Sequence, residues 1–170
     1  GDPRGTPTQR LADALFGLAV RHLRPGDLFV DYHSAEDTYN LLPLSGYRAV
    51  DNPSRERSMK AARCLQGFTL WEVKAQPGRF NSEIAELGIT AVGTEITGSA
   101  GCEERDVNLY FEGLKSLAGF AGVAPFPYSP SSQDKALTMV TVPAPESGFL
   151  RKRKKLGERV TTGEVMGELV

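Results

Sequence analysis

The 170-residue chain has only two cysteines, Cys64 and Cys102, and only two histidines, His22 and His33. Two isolated thiols exclude a disulfide framework and a cysteine-ligated zinc site, and they suit a reducing cytoplasm. No charge of either sign dominates. Twenty Lys and Arg against 21 Asp and Glu leave a formal net charge of −1, which gives nucleic acid or an acidic membrane no electrostatic hold. No apolar run approaches the roughly 18–20 residues of a membrane span, and no stretch resembles a signal peptide. What is present, 40% hydrophobic and 24% charged residues, describes a globular chain with room for one core and a small second module.

Local patterns order the elements. Thr6-Pro7-Thr8-Gln9 combines a threonine cap, proline at the first helical position and glutamine at the third, a capping box. Leu11, Leu15 and Leu18 follow at helical spacing, and Pro25-Gly26 ends the segment. Residues 28–33 read as a first strand, 34–53 as a long polar and aromatic loop, and 54–66 as a helix with Gly67 as its left-handed cap. A second strand spans 68–73. Asn81 is expected to cap a short helix ending at Gly88, a third strand runs 89–95, and the glycine-rich turn 98–101 leads into a helix over about 103–121. Helices alternating with β-branched strands predict an α/β layer, a mostly parallel sheet flanked by helices. The polar, proline- and serine-containing segment 129–135 divides a domain of residues 1–128 from a β-rich remainder, 129–170.

The sparse histidine content gives Leu28–Ser34, LFVDYHS, its interest. Ligands of open α/β sheets collect beyond the carboxyl ends of strands, and His33 falls at one such end. Asp31 lies two residues earlier, on the same side of the strand. Imidazole is the commonest protein metal ligand, and its second nitrogen commonly donates to a carboxylate. The alternative is a structural histidine at a strand end. Glu95 closes another strand in GTEITGSAG, where a carboxylate before a glycine-rich turn suits a general base, or else simply holds the turn. His22, in the last turn of the first helix, complements the helix dipole. In the long loop Tyr39, Asn40 and Tyr47 are candidates for lining a pocket, and Arg48 for pairing with a substrate carboxylate.

The order TQRLADALF, VDYHS, GITAVGTEITGSAG and then a helix resembles the succinylglutamate desuccinylase and aspartoacylase family, which belongs to the zinc carboxypeptidase-like metallohydrolases. The resemblance runs through about residues 1–125. It implies that His33 is the last of three zinc ligands, that Asp31 supports it, and that Glu95 acts as general base on the attacking water. It also implies Zn2+ as cofactor and a small N-acylated amino acid or related compound as substrate. The family's first two ligands come from a His-Gly-x-Glu-like stretch, and its substrate-gripping Asn-Arg precedes a Phe-Pro-Gly whose glycine would correspond to Gly1. By that correspondence the chain is expected to be an N-terminally truncated fragment, inactive alone.

Residues 141–170 carry Pro-x-x-Gly-Phe-Leu, Leu-Gly-x-x-Val and Gly-x-Val-x-Gly, a rhythm resembling half of a lipoyl-like β-sandwich. The family places such a domain after its catalytic one. Lys152, Lys154 and Lys155 sit in a charged run rather than on a tight hairpin tip, so a carrier role is disfavoured and RKRKK is expected to be a solvated strand face. The leading expectation is therefore a cytoplasmic zinc amidohydrolase of deacylase type, homo-oligomer formation being left open. The alternative is a non-catalytic α/β binding or scaffolding protein that keeps the fold without the metal.

Overall fold

The computed structural model describes residues 1–98, 101–133 and 135–170. Four helices and six strands follow in the order α1 Pro7–His22, β1 Leu28–Tyr32, β2 Leu44–Ala49, α2 Ser54–Arg63, β3 Thr69–Lys74, α3 Phe80–Glu86, β4 Thr90–Glu95, α4 Glu104–Ala121, β5 Leu150–Lys152 and β6 Gly167–Leu169. The first four strands form one sheet in the order β1-β4-β2-β3. β1 runs parallel to β4 and β2 parallel to β3, while β2 and β4 meet antiparallel. The sheet is thus two parallel pairs joined back to back, so the end of β4 meets the start of β2.

Alternation along the strands divides the core. Leu28, Val30, Tyr47, Leu70 and Val92 face α2 and α4, packing with Ala61, Ala62, Leu65 and Leu117. Phe29 and Ala91 face the other way, toward Phe16, Ala19 and Leu23 of the α1 region and Phe80, Ile84 and Ala85 of α3. Helix α4 comes close because Gly113 lacks a side chain; a Cβ there would lie 2.4 Å from Leu65 Cδ2.

Several expectations change. The stretch 34–53 is not one loop, since it contains β2. Ser45 and Tyr47 point into the helix-covered core while Gly46 and Arg48 sit on the opposite face, so no apolar run marks the strand. The capping box forms, with Thr6 N–H donating to Gln9 Oε1 at 2.8 Å. Within the helix behind it Leu11, Leu15 and Leu18 are about half exposed, while Phe16 and Ala19 pack against the core. Asn81 is not a cap. It lies inside α3, whose N-cap is Arg79, and its amide is engaged elsewhere. The glycine turn at 98–101 falls partly outside the described residues. Gly98 itself is left-handed, φ +95°, and a Cβ there would stand 2.4 Å from the Tyr39 carbonyl oxygen; only glycine fits where the chain crosses the preceding loop.

The segment after α4 is tied to the α/β layer. Ser131 N–H donates to the Arg63 carbonyl, Leu137 N–H to Leu70 O, and Glu72 N–H to Leu137 O, so the segment follows the open edge of β3. Beyond it, β5 and β6 form an antiparallel two-stranded ribbon. Of the part of a lipoyl-like module expected here, the described residues show this two-stranded ribbon. In RKRKK, Arg153 pairs with Glu168 and Lys154 with Glu164, both on the surface. Among the described residues no helix is long and apolar enough to cross a membrane. Leu65, 1% exposed and wedged against Gly113, is central to the larger core. Leu65→Ala should lower the unfolding free energy by about 2–5 kcal/mol, measured by denaturant titration; a loss below about 1 kcal/mol would show that α4 collapses onto the vacated space.

Candidate active site

Strand register sets the floor of the site. Asp31 stands level with Gly93, Gly93 with Gly46, and Gly46 with Trp71. All four share one sheet face, so the row reads acid, glycine, glycine, tryptophan. The two absent side chains leave a hollow across the middle of the sheet, a cleft of about 290 Å³. α1 and α3 cover the rest of this face, and the first turn of α3 reaches the edge of the hollow with Phe80 and Asn81. His33, Arg48, Arg79, Phe80, Asn81, Thr94 and Glu95 complete its lining.

The structure therefore brings together His33, Asp31, Glu95 and Arg48. His33 Nε2 lies 2.9 Å from Asp31 Oδ2, and the same oxygen accepts from Asn81 Nδ2 at 2.6 Å. An ionised carboxylate can only accept, so the imidazole presents Nε2–H to it, and in the neutral ring Nδ1 is then the lone-pair atom. The contact with Asp31 also explains the placement of Asn81. Its amide nitrogen is committed to Asp31 in the cleft wall, and the residue sits within the first turn of α3 rather than at its N-cap. Two of the buried polar atoms without a partner among the described residues, Arg48 Nε and Asn81 Oδ1, belong to cleft residues.

Charge is crowded here. Burial lifts the Glu95 carboxyl above its usual range; Asp31 and Glu36 push the same way, and His33 and Arg48 pull against them. Burial, and then Arg79, lower the Arg48 guanidinium, opposed by Asp31 and Glu95. Trp71, Gly46, Gly93 and Arg79 were not singled out in the sequence as site residues. Trp71 and the glycines are legible only once register is known, and Arg79 has no signal beyond following a Pro-Gly turn. Tyr39 is 63% exposed and lies outside the lining. Asn40 is likewise outside it, bridging to Gly98, and Tyr47 faces the opposite core.

Among the described residues no group of three His, Cys, Asp or Glu side chains gathers closely enough to hold a metal ion. These residues therefore fit zinc with a single imidazole, that of His33, and do not complete a site.

A glutamate whose folded pKa is raised favours folding while protonated, and that contribution is lost as pH rises through the folded value. In the metal-free chain Glu95→Gln should therefore be more stable than wild type at neutral pH. The advantage should vanish near pH 4, where both states of the wild type are largely protonated at this position. Denaturant unfolding at both pH values decides it. A variant less stable at neutral pH would mean that the cations, not burial, control Glu95.

No family model matches the sequence, and no curated protein does. Solved structures do. The succinylglutamate desuccinylase/aspartoacylase of Rhodobacter sphaeroides matches all of this chain and 53% of its own, with 27% identity and a TM-score of 0.82. The product-bound ectoine utilization protein EutE (DoeB) of Ruegeria pomeroyi has 22% identity and a TM-score of 0.79, again over the whole of this chain and 53% of its own. A succinylglutamate desuccinylase from Silicibacter sp. TM1040 follows at 19% and 0.77, over the same shares; these last two likenesses are of fold alone. The chain spans about half the length of these proteins. In the order of its motifs and in fold along its whole length, it is similar to the succinylglutamate desuccinylase/aspartoacylase family.

Proposed function

We propose that these residues belong to a deacylase, a zinc-dependent amidohydrolase that cleaves the amide bond of a small N-acylated amino acid or related substrate. The observation that carries this reading is the meeting of His33, oriented by Asp31, and Glu95 at the carboxyl ends of two adjacent parallel strands, over a glycine floor. His33 would serve as one zinc ligand through Nδ1, the remaining donors coming from outside the described set. When bound, zinc supplies a Lewis acid and lowers the pKa of water.

The chain's own residues supply the rest. Glu95 takes the proton of the attacking water and passes it to the leaving nitrogen. Its raised pKa moves it toward the range where a base can both accept and return a proton near neutral pH. Arg48, with Arg79 beside it, offers a cationic wall for a substrate carboxylate, and guanidinium geometry suits bidentate capture. Trp71 bounds the far side of the floor and gives the acyl or side-chain portion an apolar surface.

The second reading, a binding or scaffolding protein without catalysis, rests on the donor count, since only one imidazole is at the cleft. One pair of variants in the natural protein separates the two. Glu95→Gln should cut turnover by about 10²–10⁴-fold with zinc content nearly unchanged. His33→Ala should lose zinc and turnover together. If Glu95→Gln sheds zinc, the glutamate is a ligand; if wild-type protein carries no zinc and hydrolyses no N-acyl amino acid, the binding reading stands.

A further inference from the structure

Helix α4 reaches the site from the other side of the sheet. Tyr110, Gly113 and Leu117 recur at 3–4-residue spacing on its sheet-facing stripe, and the close approach at Gly113 brings the Tyr110 ring up to the strand ends. The ring is held between two others, edge-on to Tyr32 at 4.9 Å and stacked on Phe68 at 5.7 Å. Its hydroxyl donates to the His33 carbonyl. That carbonyl can only accept, so the phenol oxygen is left to accept from Thr94 Oγ1, at 3.1 Å. A chain from Thr94 through Tyr110 to His33 results, with the Asp31 carbonyl, 3.3 Å away, as a second acceptor for the Thr94 hydroxyl.

Both backbone polar groups of His33 are then committed, its N–H to the Thr94 carbonyl at 3.1 Å and its C=O to Tyr110. The residue lies one position beyond the last residue of β1, where a strand end would otherwise fray. Thr94 immediately precedes Glu95. The phenol thus joins the backbone that aims the imidazole to the strand that aims the carboxylate.

We propose that Tyr110 is a positioning residue, which fixes the relative placement of His33 and Glu95 from behind the sheet without touching substrate. The proposal rests on the deacylase reading for its effect on turnover, but not for its effect on His33. Tyr110→Phe keeps both ring contacts and removes only the hydroxyl; Thr94→Val keeps the shape of Thr94 and removes its donor. In the natural full chain, Tyr110→Phe should lower kcat about tenfold or more with KM changed less than twofold, since small misplacements of reacting groups are costly. The double variant should lose no more than the worse single one, because both break the same chain. With zinc removed by chelation, the His33 carbonyl 13C resonance should shift and the imidazole order parameter should fall in Tyr110→Phe. Unchanged His33 resonances and order, or full kcat accompanied only by lower thermal stability, would overturn the proposal. A wild type that turns over no N-acyl amino acid would instead sink the deacylase reading, and the His33 measurements would still decide the positioning.

Discussion

The antiparallel junction between β2 and β4 is the constraint on which the site depends. It sets Gly46 against Gly93 in the middle of a sheet otherwise lined with side chains. Had β2 joined parallel to β4, its carboxyl end would lie beside Glu95 and its start would be remote. Instead the start of β2 lies beside Glu95, and Arg48 is carried back along the same face toward α3. Arg48 and the acidic pair Asp31 and Glu95 therefore line one hollow from neighbouring strands, and Arg79 joins them from the turn before α3. Glycine in a strand interior costs backbone entropy and forfeits packing. Two of them placed side by side show that this part of the face is kept open rather than filled.

Polar balance in the hollow follows from that openness. Asp31 is shared by His33 and Asn81, so one carboxylate fixes both an imidazole tautomer and an amide orientation. Arg48 and Glu95, by contrast, are shifted in the directions that oppose their charged forms. Asp31 is thus satisfied within the protein. Arg48 and Glu95 retain unmet capacity, as expected of groups that await a ligand or a proton.

Much of this could be read from the sequence, and the failures share a cause. β1, β3 and β4 were visible because their buried faces supply β-branched and aromatic residues, and His33 and Glu95 stood out at the ends of such runs. β2 was not visible. Its core-facing residues are Ser45 and Tyr47, its cleft-facing ones Gly46 and Arg48, and neither set resembles an apolar strand pattern. The residues that make the hollow are the ones that hid its strand. Asn81 was misread because asparagine near a helix start commonly caps it; only the tertiary partner Asp31 assigns the amide differently. On α1 the leucine spacing was genuine but pointed outward, since Phe16 meets Phe80, whose ring in turn packs on Phe29. Periodicity reports that a face exists, not which layer receives it.

The chain segment lying along β3 has a consequence of another kind. β3 ends the sheet, and an uncovered outer strand offers a ladder of free amides and carbonyls to any extended polypeptide it meets. Leu137 occupies that ladder through Leu70 and Glu72, and the side chain of Gln133 takes up the Leu70 amide from the same direction. The molecule thereby covers its own outer strand with the segment that follows α4. Displacing that segment would expose the β3 edge to intermolecular pairing, so a stretch that carries no chemistry guards against self-association.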